Sequence, residues 1–541
     1  MNKSRSIILL ALVLVSSLWV LREIQIHANY VASFGSGPDV IVGSIPSIRR
    51  WGSVGNQTSF SIGTTSCNIG DADMDWISQS NIHPVISQNV YRVKDGRIEQ
   101  LGMSWLKHGF AVAAGSLCGS CTDPAGNYLA PGCSDPYGSG LNGSQGRLGP
   151  RSEVNAATGF FPWPHTDLPS TGTLDGRIIV DNDDIDPSQN PNAVYFVESQ
   201  YIHPQDAAAG NGLNNASYRR AIVETNPFDI EVDPTSGTVR EEPAINAWKA
   251  IHPDVQLYNV DIPGDGRVIV GVRVLQTGNG FHTEVAIQNL NSHRSVGSIN
   301  VDCGSGNVSS PGFTDVDYQH EPYTGTNWAP SMAGSEIEWA TDTFANDEDA
   351  NAIRWNTLYS FWFDSDECPR TLTLGVFRPG TPTEMTIDLC SEITPDSYVV
   401  TRGTYSSGGT TELGSSDNMD LSIQRSSVDV QSRTEFEVKG LSPSSDPSYM
   451  QITLEGSVFA RSTVVQTIEL FNYDSSSWEQ VNSQNANRFS DTTVTVEPGG
   501  DLSRFVEPGT DCIEARVRYQ SPSARQQFTS NTDLFTWVIA N

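Results

Sequence analysis

A chain of 541 residues is too long to fold around one core, so two to four domains are expected. Its 37% hydrophobic and 18% charged content is that of a globular protein, not a disordered one. Sixty-three acidic against 32 basic residues leave a formal charge of −31, which excludes a whole-chain nucleic-acid binder, since such proteins need a cationic surface to displace counterions from phosphate.

The excess of acids reads first as a solubility device and second as a source of oxygen ligands for divalent cations. Forty-seven glycines and 30 prolines call for many turns, as mostly-β chains do. At the N-terminus, Lys3 and Arg5 precede the apolar run "IILLALVLVSSLWVL", and "IHA" ends at Ala28. Charged, apolar, then small is the pattern of a secretory signal peptide over residues 1–28. The run is shorter than the roughly 20 apolar residues a membrane span needs. An uncleaved anchor is the alternative, and no membrane span is expected once the signal is removed. A secreted or cell-surface location follows.

That location governs the eight cysteines. An even number in an oxidising compartment predicts four disulfides. They fall into three groups: Cys67, Cys118, Cys121 and Cys133; Cys303 and Cys368; Cys390 and Cys512. Pairing within groups keeps each bridge inside one domain, although spacing does not determine connectivity.

Three regions follow a short linker. Residues 40–227 form a loop-rich, cysteine-containing domain in which short apolar pieces alternate with Gly, Asn, Asp, Ser and Pro. Within it, "NVYRVKDGRIEQLGMSWLKHGF" reads as strand, turn, strand, with Asp95-Gly96 as the hairpin turn. Residues 228–390 carry β-rich runs such as "GRVIVGVRVL", "HTEVAIQNL" and "TLYSFWFD", the pattern of an antiparallel sandwich. "EEPAINAWKAIHP" is the clearest short helix. Residues 391–541 are Ser/Thr-rich with further strands, and the imperfect alternation of "VQTIELF" predicts cover on both faces. The fold class expected is therefore mostly β: an irregular disulfide-bonded N-terminal region followed by two β-sandwich-like modules.

"GMSWLKHGFAVAAGSLCGSC" (102–121) raises the possibility of a transition-metal site. His83, His108 and the cysteines Cys118, Cys121 and Cys133 have ligand chemistry suited to zinc or copper, with Met103 as a weak axial donor. The run has one C-x-x-C and no matching second pair, and Thr122 instead of His follows Cys121. Crosslinks are favoured, because thiolates rarely stay reduced outside the cell. His282 and Glu284, two apart on a predicted strand, share one face. A copper histidine brace is discounted, because the mature chain would begin at Asn29. "DNDDIDPSQN" crowds Asp181, Asp183, Asp184 and Asp186; Asp181, Asp183 and Asp186 are the calcium candidates, although the central Gly and terminal Glu of an EF-hand are missing. "FANDEDAN" and "FDSDE" are weaker acidic clusters. Arg151 beside Glu153 reads as a structural ion pair.

No G-x-S-x-G, H-E-x-x-H or P-loop is present. The first site candidate is the polar-aromatic string "ESQYIHPQDAAAGNGLNNASYRR". It contains Glu198, Tyr201, His203, Asp206, Asn214, Tyr218 and Arg219, together with Gln200, Asn211 and Asn215. Such residues suit a sugar-binding or catalytic cleft, where amides and acids bond hydroxyls and rings stack. A long loop satisfying its own backbone explains them equally well.

Several phrases, among them "TTSCNIGD", "GCSDPYGSGLNGSQGRLGPRSEVN", "NNASYRR", "QNLNSHRSVGSI", "DVDY", "IRWNTLYSFWFD" and "SLCGSC", resemble a family of uncharacterised secreted bacterial β-rich proteins. Together they cover much of residues 40–380. "QTIELFNYDSSSWEQV" is similar to a C-terminal β module of such proteins. The resemblance implies export and a shared architecture; it carries no activity.

The expected function is that of an exported, acidic, disulfide-stabilised surface or matrix protein binding polysaccharide or another extracellular ligand. The alternative is an extracellular enzyme, polysaccharide-active or a metal-dependent oxidoreductase, with its site in the N-terminal domain.

Overall fold

The computed structural model describes residues 36–122, 126–225, 228–277, 280–304, 306–427 and 430–540. The signal segment 1–28 lies outside them. The fold is mostly β, with 51% of residues in strands and 6% in helices.

The N-terminal region holds two antiparallel sheets. One is built from Val40–Val54, Gln57–Asn68 and Ile178–Asp181, with Ser134–Tyr137 added to the second strand. The other is eight-stranded, with the order Phe228–Val232, Ala216–Thr225, Val194–Ile202, Val85–Lys94, Leu106–His108 and Leu148–Gly149; Arg97–Met103 and Thr238–Val239 complete it. The Asp95-Gly96 hairpin is as expected. Lys94 pairs with Arg97, and both turn residues have positive φ (51° and 90°), a combination Asp-Gly adopts at low cost. Between the strands, residues 109–133 and 138–177 are largely irregular.

Strand Val85–Lys94 is buried almost throughout instead of alternating. Its sheet is a middle layer. Ile86 and Val90 pack with Val40, Val42, Phe60 and Ile62 of the smaller sheet. Tyr91 and Val93 face the other way, onto the helix Ile245–Ile251 and onto Ile269, Ala286 and Leu358. This helix falls where the sequence predicts one. Its Trp248 is fully buried and donates Nε1–H to Gly96 O at 2.8 Å.

The next sheet pair is a sandwich. Gln256–Asp261, Arg267–Thr277, Gly280–Asn289, Thr357–Ser365 and Val308–Thr314 form one layer; Ala329–Ala333, Glu336–Ala340, Val296–Asp302, Thr371–Val376 and Glu384–Asp388 form the other. Val270, Ile287, Ile299, Trp339 and Phe361 fill the space between them. The last sandwich packs a six-stranded sheet centred on Tyr449–Ala460 and Phe528–Ala540 against a five-stranded one centred on Arg433–Leu441 and Cys512–Gln520. Strand Val465–Asn472 is covered on both faces over most of its length, as its broken alternation predicts.

The disulfides are Cys67–Cys118, Cys121–Cys133 and Cys368–Cys390. The first two pair within the expected group. The pairings Cys303–Cys368 and Cys390–Cys512 are overturned: Cys303 and Cys512 are thiols. Cys303 is packed into the core of the central sandwich. Cys512 opens a strand in the sheet opposite the one that Cys390 joins. Cys368 and Cys390 instead meet at the junction of the two sandwiches, beside Phe281 and Tyr449.

Candidate functional site

The string from Glu198 to Arg219 is not an open loop. It forms strand Val194–Ile202, helix Pro204–Ala209 and strand Ala216–Thr225, and most of its polar groups bond within the fold, although Gln200 Oε1, Asn214 Oδ1, Asn215 Oδ1 and Arg219 Nε are buried without a hydrogen-bond partner. Glu198 is fully buried. Its Oε1 accepts from Asn89 Nδ2, Tyr91 Oη and Asn356 Nδ2, each at 3.0 Å; its Oε2 accepts from Ala244 N at 2.6 Å and Gln288 Nε2 at 2.7 Å. Tyr201 hydrogen-bonds Thr64 at 2.8 Å. His203 caps the helix through Nδ1, which accepts from Gln205 N, and donates Nε2–H to Asp75 O. Asp206 accepts from Val40 N and Asn215 Nδ2, each at 2.8 Å. Asn214 donates to Asp39, Tyr218 packs edge-on against Phe196, and Arg219 donates to the carbonyls of Ile45 and Asp233. These residues form a structural seam.

Arg151 belongs to the same seam and not to an ion pair with Glu153. It is buried and donates to Ser104 O, Gln88 O, Asn89 Oδ1 and Asn356, while Glu153 accepts from Thr166. Burial pushes its pKa down to about 10, against the pull of Glu321.

His83 and His108 do converge, together with His165, but on one another. His83 Nδ1 donates to Ile77 O at 3.1 Å, which leaves Nε2 to accept from His108 Nδ1 at 2.9 Å. His165 stacks on His108 at 4.1 Å, and Trp163 closes the group. Burial drives both imidazoles well below the ordinary histidine value, His83 to about 4. Two neutral rings that use their facing nitrogens on each other have no shared lone pairs for an ion. Among the described residues no three His, Cys, Asp or Glu side chains are grouped to hold a metal. Two of the calcium candidates accept hydrogen bonds from neighbouring groups. Asp183 accepts from Asn56 and Gln189, and Asp186 accepts from Ser188 N. Asp181 faces a cleft.

That cleft, about 490 Å³, opens between the N-terminal and central sheets. Its walls are strand Arg97–Met103, the turn from Asp181 to Asp184, and the segment from Thr314 to Gln319. Arg92 crosses one wall, 2.6 Å from Glu99 and 3.1 Å from Asp184. Burial opposes its charge, but Glu99 and Asp184 more than offset this and hold its pKa above the ordinary value. Burial raises Asp184, and Asp181 and Glu99 add to the effect against Arg92. On the other wall, burial pushes Asp315 up to about 6; its bond from Asn351 lowers it and the charge of Asp317 raises it. Gln319 ties the walls together by donating to Met103 O and accepting from Gly176 N.

One side chain on this wall is incomplete. Gln100 is 4% exposed and accepts from Leu358 N through Oε1 at 2.7 Å, while its Nε2 has no partner. A buried amide donor beside a polar cavity is a group a ligand oxygen would satisfy. Sequence reasoning missed the cleft because its acids come from distant segments. The segment "DVDY", which supplies Asp315 and Asp317, is irregular and follows the end of strand Val308–Thr314, so no strand period marks it.

No family model matches the chain, and no curated protein matches it. Among solved structures, it is similar to a structure of infectious bursal disease virus Gx strain (10% identity, TM-score 0.16, 53% of this chain and 70% of that one). The ANXUR2 extracellular domain from Arabidopsis thaliana gives 9% identity and a TM-score of 0.19 over 53% of this chain and 89% of that one. An exo-beta-1,3-galactanase from Phanerochaete chrysosporium gives 9% identity and a TM-score of 0.14 over 94% and 96%. Likenesses this faint assign the chain to no family and give it no activity.

Proposed function

We propose that the chain is an exported, disulfide-stabilised surface or matrix protein that binds extracellular polysaccharide in the cleft between its N-terminal and central units. Three disulfides support an oxidising location. No helix among the described residues is long and apolar enough to cross a membrane. The observation that carries the reading is the unpartnered, buried Nε2 of Gln100 on a cleft wall otherwise made of carboxylates, amides and Arg92. Such walls offer acceptors and donors at the density that sugar hydroxyls need, in a volume typical of ligand sites.

Calorimetry against a panel of neutral oligosaccharides tests it. At least one should bind, and Asp317→Ala and Gln100→Met should each weaken it tenfold or more while leaving the melting temperature within a few degrees. No binding across the panel, or binding indifferent to both variants, sinks the proposal.

A polysaccharide-active enzyme is the second reading, favoured by Asp315. A carboxyl group pushed up to about 6, with a second carboxyl, Asp317, lining the same cleft, can supply a proton to a glycosidic oxygen. Release of reducing ends from the bound polysaccharide, lost in Asp315→Asn, distinguishes an enzyme from a binder.

A further inference from the structure

The C-terminal sandwich carries a second concavity, about 810 Å³, unlike the rest of the molecule in its chemistry. Gln424, Thr529 and Phe459 stand in one register row across three adjacent strands, so their side chains share one face of the six-stranded sheet. Arg461, Arg525 and Gln527 rim this face. Phe459 is 67% exposed and Phe489 63%, and their rings meet edge to face at 5.4 Å. Two phenyl rings held this far into solvent forfeit the burial that normally justifies them.

The second ring is placed there at a cost. Phe489 has φ of +78°, a region that bulky side chains avoid. The strain is held by backbone bonds from Phe489 N to Val458 O and from Val458 N to Asn487 O, and by Arg488, which donates to Arg461 O at 3.1 Å. Among the described residues no Asp or Glu lines the groove, in a chain with nearly two acids for every base. Arg461, Arg488 and Arg525 form no ion pair among the described residues.

We infer that this groove binds an anionic polysaccharide, a chain bearing carboxylate or sulfate groups. Guanidinium groups pair with its anions, the amides of Gln424 and Gln527 meet its hydroxyls, and the phenyl faces take the apolar C–H face of a sugar ring. An acidic peptide would be expected on an open strand edge, where backbone groups are free; the groove lies on a sheet face. An anionic membrane takes up exposed apolar tips with no need of amides, whereas the amides of Gln424 and Gln527 share this hollow with the rings. The inference takes its ligand class from the glycan-binding reading, but it does not depend on the interdomain cleft.

The test is biolayer interferometry of the whole protein on immobilised polygalacturonate, with immobilised dextran as the neutral control. Salt of about 0.15 M limits repulsion from distant acids to within about 8 Å. Binding is expected on polygalacturonate and not on dextran, and a tenfold or greater loss is expected in Phe489→Ala and in Arg461→Gln/Arg525→Gln. If Phe489→Ala misfolds, the arginine pair decides, since both positions are exposed. The arginine variant should keep whatever neutral oligosaccharide the cleft binds, so the two readings fail separately. Absence of binding to polygalacturonate, binding unchanged in the arginine variant, or equal binding to polyglutamate or to phosphatidylserine vesicles overturns the inference.

Discussion

Gln288 donates Nε2–H to Oε2 of Glu198 over 2.7 Å, and in doing so joins the central sandwich to the middle sheet of the N-terminal region. Asn356 makes the same crossing to Oε1, and Arg151 donates both to Asn356 and to Asn89. A carboxyl group buried this deeply is tolerated only because donors surround it.

Removing that carboxylate should therefore be severe. Glu198→Ala strands five donors: Asn89 Nδ2, Tyr91 Oη, Asn356 Nδ2, Ala244 N and Gln288 Nε2. A loss of about 3–5 kcal/mol is expected in urea unfolding. The N-terminal and central units should also separate into two transitions where the wild type shows one. A loss below about 1 kcal/mol would contradict this account.

Stability should fall through the neutral range because of Asp206. Burial raises its carboxyl to about 7, against the bonds from Asn215 and Val40 N. A carboxyl whose folded value is raised favours the fold most below its unfolded value near 4, and the contribution fades as pH climbs towards 7. The full cost above pH 8 is of order 4 kcal/mol. Asp206→Asn should flatten this dependence, and urea midpoints at pH 5 and pH 8 measure it. An unchanged difference between the two would refute the assignment.

The acid side should depend on His203. Burial lowers its imidazole to about 3, so it stays neutral in the fold while the unfolded chain takes up a proton. Its contribution is present above about pH 6.5 and is lost as pH falls towards 3. His203→Asn retains a side-chain cap for the helix and removes the titration. Its unfolding midpoint should fall less steeply between pH 6.5 and 4 than that of the wild type.

Thiol chemistry should separate the two unpaired cysteines. Burial pushes Cys303 up to about 12 and seals it in the central core, while Cys512 is only partly covered. Iodoacetamide should label Cys512 alone in the native protein and both in denaturant, read by intact mass. More than two labels in denaturant without reductant would mean that a bridge is absent.

The mostly-β class, the Asp95-Gly96 hairpin and the helix around Trp248 were legible because each rests on local chemistry: turn residues, β-branched runs and a short amphipathic segment. That Cys67, Cys118, Cys121 and Cys133 pair among themselves followed from grouping, while which of them joins which did not. Cys303 misled because proximity in the chain says nothing about which sheet a cysteine faces. The Glu198 string misled in a different way. Its density of amides and acids resembles a ligand site, yet such residues are also what a buried seam needs to satisfy its own polar groups. The cleft escaped because Arg92, Asp184 and Asp315 are neighbours only after three segments fold together, and no period in the sequence links them.

The Cys368–Cys390 bridge, with the edge-to-face contact of Phe281 and Tyr449 at 5.2 Å, leaves the last sandwich little freedom to swing away from the central one. The two proposed ligand surfaces, on elements so tied, would keep a nearly constant spacing. A polymer carrying both neutral and anionic stretches, and long enough to reach both, would meet the second at high effective concentration, whereas a short oligomer would gain nothing from it. Avidity of this kind selects for chain length, so the protein would favour intact polymers over their fragments.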